Sequence, residues 1–300
     1  MFNIIVRLFK WFCSQPYLLL FAPWLLMTYN VSAQAQQVHT HEPAHFPLET
    51  DPPLVSSSPA HLDVTEEIAP DMIETLEQID PLDSPHPVPW NWVVTTQAEL
   101  AASETFGLRY YRSQSLVSPD GQYAAYSRIS MQGQPDLYRS RVTSVMFLED
   151  LQTGDLQTLT ASSPLSDNPL VSNEDADMPG TFAILLPVSW SPSSDRLLAR
   201  QFEGLFSTSF ASDYAVIWDR QKNRTYTVAP EPIDYTHAVL LGWSQTHPDQ
   251  VLFRVGELGE ARKSVLSVDF QGETTLAFED EPIVYGQVVN QVWTGPQARW

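Results

Sequence analysis

The stretch Ser118-Pro119-Asp120-Gly121, followed by Tyr123-Ala124-Ala125-Tyr126, decides the fold because it joins a tight turn to an apolar strand. Proline presets the backbone for the second position of a turn, and Asp and Gly tolerate the dihedral angles that follow. The apolar and aromatic residues after the turn suit a pleated, buried surface. Two further copies are present, WSPSSDRLLAR at residues 190–200 and WSQTHPDQVLFR at residues 243–254. The chain is therefore predicted to repeat one β-rich unit three times.

A second hairpin pattern follows each copy: an apolar strand ending in Asp, a Gly- or Asn-centred turn, and a Thr-containing strand. The three examples cover residues 145–160, 214–228 and 265–278. Two hairpins per unit give four strands per unit, which is the strand content of a β-propeller blade. The first spacing between copies is longer than the second because residues 161–181, rich in Ser, Asn, Asp and Pro, form a predicted surface loop.

Three units are one fewer than the usual minimum of about four blades. Residues 90–96 and 108–112 before the repeats, and residues 283–293 after them, have strand-like patterns. They are predicted either to form a degenerate fourth blade that closes the ring, or to pack on an open, partial propeller. The predicted fold class is all-β, a small or partial β-propeller of three four-stranded blades within residues 89–300.

The paired hairpins resemble the TolB-like (WD-like) β-propeller repeat family, and residues 116–160 match that pattern best. The resemblance covers roughly residues 107–280. The second copy departs from the pattern at Ser193-Ser194-Asp195, and the third spreads the Ser-Pro pair over residues 244–248. The resemblance implies a repeat fold but no activity, since one fold carries many functions. The family's periplasmic member has six repeats and a separate N-terminal domain, so its partners are not transferred to this chain.

The N-terminus has the features of an export signal. Arg7 and Lys10 precede an apolar run at residues 17–29, and Val31-Ser32-Ala33 offers a cleavage site. The run is shorter than the about 20 residues that span a bilayer, so cleavage is favoured over retention as an anchor. Residues 1–33 are predicted to be a signal peptide, and the mature protein to be periplasmic or secreted without a stable membrane span. The single cysteine, Cys13, lies before the apolar run.

Residues 34–88 are predicted to be an acidic, Pro-rich, disordered linker. There is no Lys or Arg between Lys10 and Arg109, and ten prolines lie between Pro43 and Pro89. Such a segment repels itself and has little apolar surface to bury. Residues 65–79 have apolar side chains at helical spacing and are candidates for a short helix formed against a partner or the body.

Three histidines in the linker, His39, His41 and His45, are candidate metal ligands beside Glu42. Neutral imidazoles bind Zn or Cu well. The alternative is that a polar linker contains histidine without metal, since ordering flexible ligands costs conformational entropy.

Charge and motif chemistry narrow the function classes. The net charge of −20 argues against nucleic acid and anionic lipid as partners. Gly242-Trp243-Ser244-Gln245-Thr246 begins like a nucleophile elbow but lacks the closing glycine, so no catalytic residue is assigned. The three hairpin aspartates are either a ring of carboxylates for Ca²⁺ or a cationic ligand, or turn residues that accept backbone N–H bonds. They are Asp150, Asp219 and Asp269.

These features predict an exported, non-enzymatic binding or scaffolding protein of the cell envelope, with a protein partner and no cofactor. The alternative is a periplasmic protein that binds a small ligand or a metal. Three tryptophans near the repeats are expected in the core: Trp190, Trp218 and Trp243.

Overall fold

A computed structural model describes residues 80–166, 178–260 and 263–290 of the 300-residue chain. The predicted signal peptide, most of the predicted linker and the end of the last predicted strand lie outside the described residues. Within the described ranges the chain is mainly β-strand, which confirms the all-β prediction. These ranges also contain α1 (Trp90–Ala102) and a short 3₁₀ helix (Leu137–Arg139).

Three units of four strands form the body, and neighbouring strands within each unit are antiparallel. The first unit comprises β2 (Ser115–Val117), β3 (Tyr123–Gly133), β4 (Arg141–Asp150) and β5 (Leu156–Leu159). The second comprises β6 (Thr181–Trp190), β7 (Arg196–Leu205), β8 (Ala211–Asp219) and β9 (Arg224–Val228). The third comprises β10 (His237–Ser244), β11 (Val251–Gly256), β12 (Lys263–Val268) and β13 (Thr274–Leu276). The predicted pair of hairpins is thus confirmed in each unit.

The units are distributed over two sheets, and neither sheet closes on itself. The first two units lie in one ten-stranded sheet, where a single parallel bridge between Val142 and Phe182 connects β4 to β6. The third unit lies in a separate five-stranded sheet.

Apolar side chains fill the spaces between successive units. One cluster joins the first unit to the second and includes Leu148, Trp190 and Trp218. Another joins the second unit to the third and includes Ile217 and Trp243. All three tryptophans are buried, which confirms their predicted place in the core. Burial of such large aromatic side chains is a main source of the free energy of folding.

The strand predicted for residues 90–96 is wrong, because this segment begins α1. The side chains that α1 buries are Val93, Thr96, Gln97 and Leu100, and their spacing of three and four residues defines one helical face. The ring of Trp90 packs at centroid distances of 5.2 Å from Phe182 and 5.8 Å from Phe202. Tertiary packing of this face overrides the strand preference of Trp, Val and Thr.

The other terminal strands join existing units, so the predicted fourth blade does not form among the described residues. β1 (Gly107–Arg112) pairs with β3 of the first unit. β14 (Pro282–Ile283) pairs with β10 of the third unit, and β15 (Gln287–Val289) pairs with β2 of the first.

Residues 282–289, which we name the closing tail, contact the first strand of every unit. Ile283 lies opposite Trp243 on β10, and Val288 lies opposite Leu116 on β2. Between these two pairings, the backbone N–H of Trp190 on β6 donates to the carbonyl of Tyr285 over 2.9 Å. The tail therefore connects the three units through backbone hydrogen bonds.

The first described residues are fixed to the body by a buried ion triad. The guanidinium of Arg200 on β7 donates to Asp80 over 2.6 Å and to Asp213 on β8 over 2.8 Å. Asp80 also accepts the backbone N–H groups of Leu82 and Val88. Residues 80–88, which composition assigns to the linker, thus have defined partners in the folded body.

Candidate functional site

The recurring aspartates lie in hairpin turns, and their hydrogen bonds match the turn interpretation. Asp150 Oδ1 accepts the backbone N–H groups of Gln152 and Thr153 over 2.9 and 3.1 Å. Asp219 and Asp269 accept turn N–H groups in the same way. These bonds hold the pKa of Asp150 below its usual value. The described residues contain no group of three or more side chains suited to a metal ion, and His39, His41 and His45 lie outside them.

The serine of each repeat copy is likewise engaged in its own turn. Ser191 Oγ donates to Asp195 over 2.7 Å and accepts the backbone N–H of Arg196 over 3.0 Å. Ser244, from the sequence that begins like a nucleophile elbow, is fully buried and donates to Asp280 over 2.6 Å. The repeat motif therefore serves turn formation in the second and third units.

An open cleft of about 280 Å³ lies between the first and second units at the turn end. Its lining includes Tyr123, Asp150, Trp218 and Arg220. The Arg220 guanidinium stacks over the Tyr123 ring at 4.5 Å and donates to Asp120 and to Gln122. Asp120, Gln122 and Tyr123 already bind the guanidinium of Arg220. This side chain therefore connects the second unit to the first.

We name the side of the first unit that faces away from the second unit the outer face. Its composition differs from that of the inner side, which packs on the second unit. Alternation along β3 sends Ala125, Ser127 and Ile129 to the inner side and Tyr126 and Arg128 to the outer face. Cross-strand register adds further members on the neighbouring strands. The outer face includes Leu108, Tyr110, Arg112, Tyr126, Arg128, Ser130, Gln132, Thr143, Val145, Phe147 and Thr158.

Two stacked aromatic rings lie between two arginines at the centre of the outer face. The Arg112 guanidinium lies 3.9 Å from the centroid of the Tyr126 ring. Tyr126 stacks on Phe147 at 5.5 Å with an interplanar angle of 19°. The Arg128 guanidinium lies 5.7 Å from the Phe147 ring. Such cation–aromatic contacts orient guanidinium groups and leave their outer edges able to bind anions.

Arg112 and Arg128 differ in how firmly they are held. Arg112 donates to the carbonyl of Ser113 over 3.1 Å and to Ser115 Oγ over 3.0 Å, and partial burial lowers its pKa. Arg128 is exposed. Beneath them, burial raises the pKa of Glu149, against the opposing effect of the Arg112 charge. We name the stack of Arg112, Tyr126, Phe147 and Arg128 the ladder. Arg112 is held in place within it, and Arg128 is the more accessible cation.

The outer face also exposes apolar surface. Tyr110 is 69% exposed and Leu108 is 47% exposed, on the same side of β1 as Arg112. Within the described ranges, none of the outer-face residues belongs to the two hydrophobic clusters that join the units or to a third cluster around Val93 and Phe182. In a chain of net charge −20, a surface that combines the exposed side chains of Tyr110 and Leu108 with the exposed guanidinium of Arg128 is a candidate binding surface.

A buried carboxylate on β7 is the other unusual group. Glu203 is 1% exposed and accepts a hydrogen bond from Ser163 Oγ over 2.6 Å. Burial raises its pKa to about 7. The Ser163 hydroxyl and the Leu165 backbone N–H both donate to Glu203 inside the body. This carboxylate therefore affects stability and is not a binding group.

Sequence reasoning about the site missed the outer face. The signal was present in the alternation of Leu108, Tyr110 and Arg112, and again in Tyr126 and Arg128. Recognising it required the pairing of β1 with β3, which brings the two alternating strands side by side.

No protein-family model matches this chain, and no curated protein matches it. The part of the chain that the structure describes contains no helix long and apolar enough to cross a membrane. The observations define an all-β protein of three antiparallel units, with a cation–aromatic outer face on the first unit and a comparable stack of Arg224, Tyr226, Phe270 and Arg196 elsewhere in the body.

Proposed function

We propose that this chain is an exported, non-enzymatic binding or scaffolding protein of the cell envelope. In this proposal the body is a TolB-like, partial β-propeller of three blades, and its outer face binds an acidic segment of a partner protein. The single observation that carries the proposal is the ladder of Arg112, Tyr126, Phe147 and Arg128 on the side of the first unit that faces away from the second unit.

The chemistry of the outer face selects the partner. Guanidinium groups bind carboxylates through charge-assisted, often bidentate hydrogen bonds, and exposed aromatic rings pack on apolar or proline side chains. A segment with carboxylates spaced among apolar residues therefore complements the surface. Tyr and Arg are also the residue types that contribute most to binding free energy at interfaces.

The alternative, a periplasmic protein that binds a small ligand or a metal, has the inter-unit cleft as its favourable feature. The arginine of that cleft is already bound to Asp120 and Gln122, so a ligand has to displace protein contacts. His39, His41 and His45 remain the proposed metal ligands of this alternative.

The test uses a fluorescent peptide in which Glu and Asp alternate with Leu and Pro, and an amide version in which Gln and Asn replace the acids. Binding to the full chain is measured by fluorescence anisotropy at low and moderate salt. We expect Arg128→Glu to weaken binding of the acidic peptide by about tenfold, because the charge reversal removes an attraction and adds a repulsion, each worth up to about 1 kcal/mol at an exposed position.

A matched control exists on the second unit. Arg224 lies over the Tyr226 ring at 5.0 Å and is exposed, and Tyr226 stacks on Phe270 beside Arg196, so Arg224→Glu makes the same charge change at a comparable stack outside the outer face. This variant is expected to bind as the original chain does. Equal weakening in both variants, or equal binding of the acidic and amide peptides, would overturn the proposal.

A further inference from the structure

We infer that the acidic segment of the partner binds along the outermost side of β1 as an added β-strand. β1 pairs with β3 along one side. Within the described ranges, no strand pairs with its opposite side, which we name the β1 edge. This inference rests on the proposed function, and it specifies how the backbone of the partner is bound.

The hydrogen-bonding phase of β1 shows which backbone groups point toward the β1 edge. Ser113 continues the antiparallel register by one residue, and its N–H donates to the carbonyl of Ser127 over 2.9 Å. In an antiparallel pair, residues that bond to the partner strand alternate with residues that point away from it. Arg109 and Tyr111 therefore bond to β3, as Ser113 does. The residues whose N–H and C=O groups point toward the β1 edge are Leu108, Tyr110 and Arg112.

The same three residues place their side chains on the outer face. A strand added to the β1 edge would continue the sheet, so every second side chain of that strand would also lie on the outer face. Acidic residues at these positions would lie beside Arg112, and the residues between them would lie on the side of Tyr111. The β1 edge and the ladder therefore favour one bound conformation, which is an extended strand.

The exposure of β1 suits strand addition. Leu108, Arg109 and Tyr110 are all exposed, so the side chains on both faces of this strand are accessible to solvent. An unpaired strand edge presents a row of N–H and C=O groups that an extended peptide can bind. β1 has six residues, whereas β5, β9 and β13, the last strands of the three units, have four, five and three.

Charge favours an acidic partner over a second copy of this chain. β1 contains Arg109 and Arg112 and no Asp or Glu. The guanidinium of Arg109 lies beside the β1 edge, because it donates to the carbonyl of Leu108 over 3.2 Å. A second copy would bring the same two cations to the β1 edge, and two chains of net charge −20 repel each other.

The first experiment uses the original chain and the fluorescent acidic peptide described above, with one backbone amide at a time replaced by an ester. An ester keeps the side chain and lacks the N–H donor. In an added strand, only every second residue points its N–H toward β1. We expect esters at the acidic residues to weaken binding by about fivefold, because each removes one hydrogen bond. Esters at the leucines between them should have little effect.

The second experiment changes the β1 edge itself. Tyr110→Pro removes an N–H that points away from β3, so the hydrogen bonds between β1 and β3 are retained. Tyr110→Ala is the matched control, because it removes the same ring and keeps the N–H. We expect the proline variant to bind the acidic peptide about fivefold more weakly than the alanine variant does. Thermal unfolding verifies that both variants fold.

The third experiment measures amide hydrogen exchange of the original chain by nuclear magnetic resonance. In the free chain the amides of Arg109 and Tyr111 should exchange slowly, because they bond to β3, and the amide of Tyr110 should exchange rapidly. A saturating concentration of the acidic peptide should slow the exchange of Tyr110 by about tenfold or more, because an added strand occupies its N–H.

The outcomes separate this inference from the proposed function. Peptide binding without alternation among the esters, and without protection of the Tyr110 amide, would refute strand addition and leave the proposed function intact. Absence of binding by the acidic peptide would refute the proposed function. Protection of the Tyr110 amide that rises with protein concentration in the absence of peptide would identify a second copy as the occupant and overturn the inference.

Discussion

The guanidinium of Arg200 lies 2.6 Å from a carboxylate oxygen of Asp80, although the two residues are 120 positions apart. Both side chains are buried, and a second carboxylate, that of Asp213, lies 2.8 Å from the same guanidinium. The triad also connects to the third unit, because Asp213 accepts the backbone N–H of Leu240 over 2.9 Å. Arg200 therefore connects residues 80–88 to the second unit and, through Asp213, to the third unit.

Arg200→Met is expected to lower the free energy of unfolding by about 3–5 kcal/mol, because it leaves two buried carboxylates without a counter-charge. Urea denaturation at neutral pH, followed by tryptophan fluorescence, measures this change. The control is Asp249→Asn, which breaks the exposed ion pair with Arg196 and is expected to cost less than about 1 kcal/mol. Equal losses in the two variants would contradict the role of the triad.

Glu203 is expected to make stability fall as pH rises. Its folded pKa of about 7 lies above the unfolded value, so the folded state binds the extra proton between about pH 4.5 and 7. The stability associated with this proton is present below that window and is lost as pH rises through it. Glu203→Gln should therefore remove a pH-dependent loss on the order of 3 kcal/mol.

The measurement for Glu203 is the difference in unfolding free energy between the variant and the original chain at pH 5 and pH 8. Taking the difference cancels the contribution of other titrating groups. Glu99→Gln, the same substitution on the exposed side of α1, is the matched control. A Glu203→Gln difference that is the same at both pH values would rule out the predicted linkage.

Gly286→Ala is expected to destabilise the contact between the closing tail and the first two units. Gly286 has φ of +113°, and an added Cβ would lie 3.0 Å from both Leu116 and Trp190. Gly259 also has positive φ, +88°, but an added Cβ there meets nothing within 4 Å. The backbone strain of Gly259→Ala alone should cost about 1–2 kcal/mol. Thermal unfolding should show a larger loss for Gly286→Ala, and equal losses would mean that the tail contact adds no stability.

Asp150→Ala is expected to cost about 1–2 kcal/mol, since two turn N–H groups lose their acceptor. Asp155→Ala, at an exposed position of the same turn, should change the unfolding free energy far less. Melting curves with and without millimolar Ca²⁺ address the competing interpretation of these aspartates. A Ca²⁺-dependent rise in melting temperature that disappears with Asp150→Ala would support a carboxylate site instead of a turn.

The sequence predicts well those features that depend on neighbouring residues. The turn of Ser118 and the hairpin of Asp150 follow from local hydrogen bonds and dihedral preferences, and both are present. The strand predicted at residues 90–96 failed because β-propensity was weighed without the helical spacing of Val93, Thr96 and Leu100. That spacing is visible in the sequence, and it becomes decisive when the helix packs on the cluster that contains Val93, Phe182 and Phe202.

Long-range relationships could not be derived from the residues alone. Nothing in the composition of residues 80–88 indicates that Asp80 meets Arg200, since many aspartates and arginines are available. The outer face could be predicted in part. The alternation of its side chains is visible in the sequences of β1 and β3, but the pairing of these strands depends on the whole fold. The site was therefore predictable in composition and unpredictable in position.

The pairing of the closing tail also constrains the order in which the protein can fold. Leu116 on β2 meets Val288 on β15, so the first unit receives its last backbone partner only after almost the entire body has been synthesised. Pairings between such distant residues slow folding, because a long loop has to close before any contact compensates for its entropy. A nascent chain of this protein should consequently remain incompletely folded until the strands of the closing tail emerge.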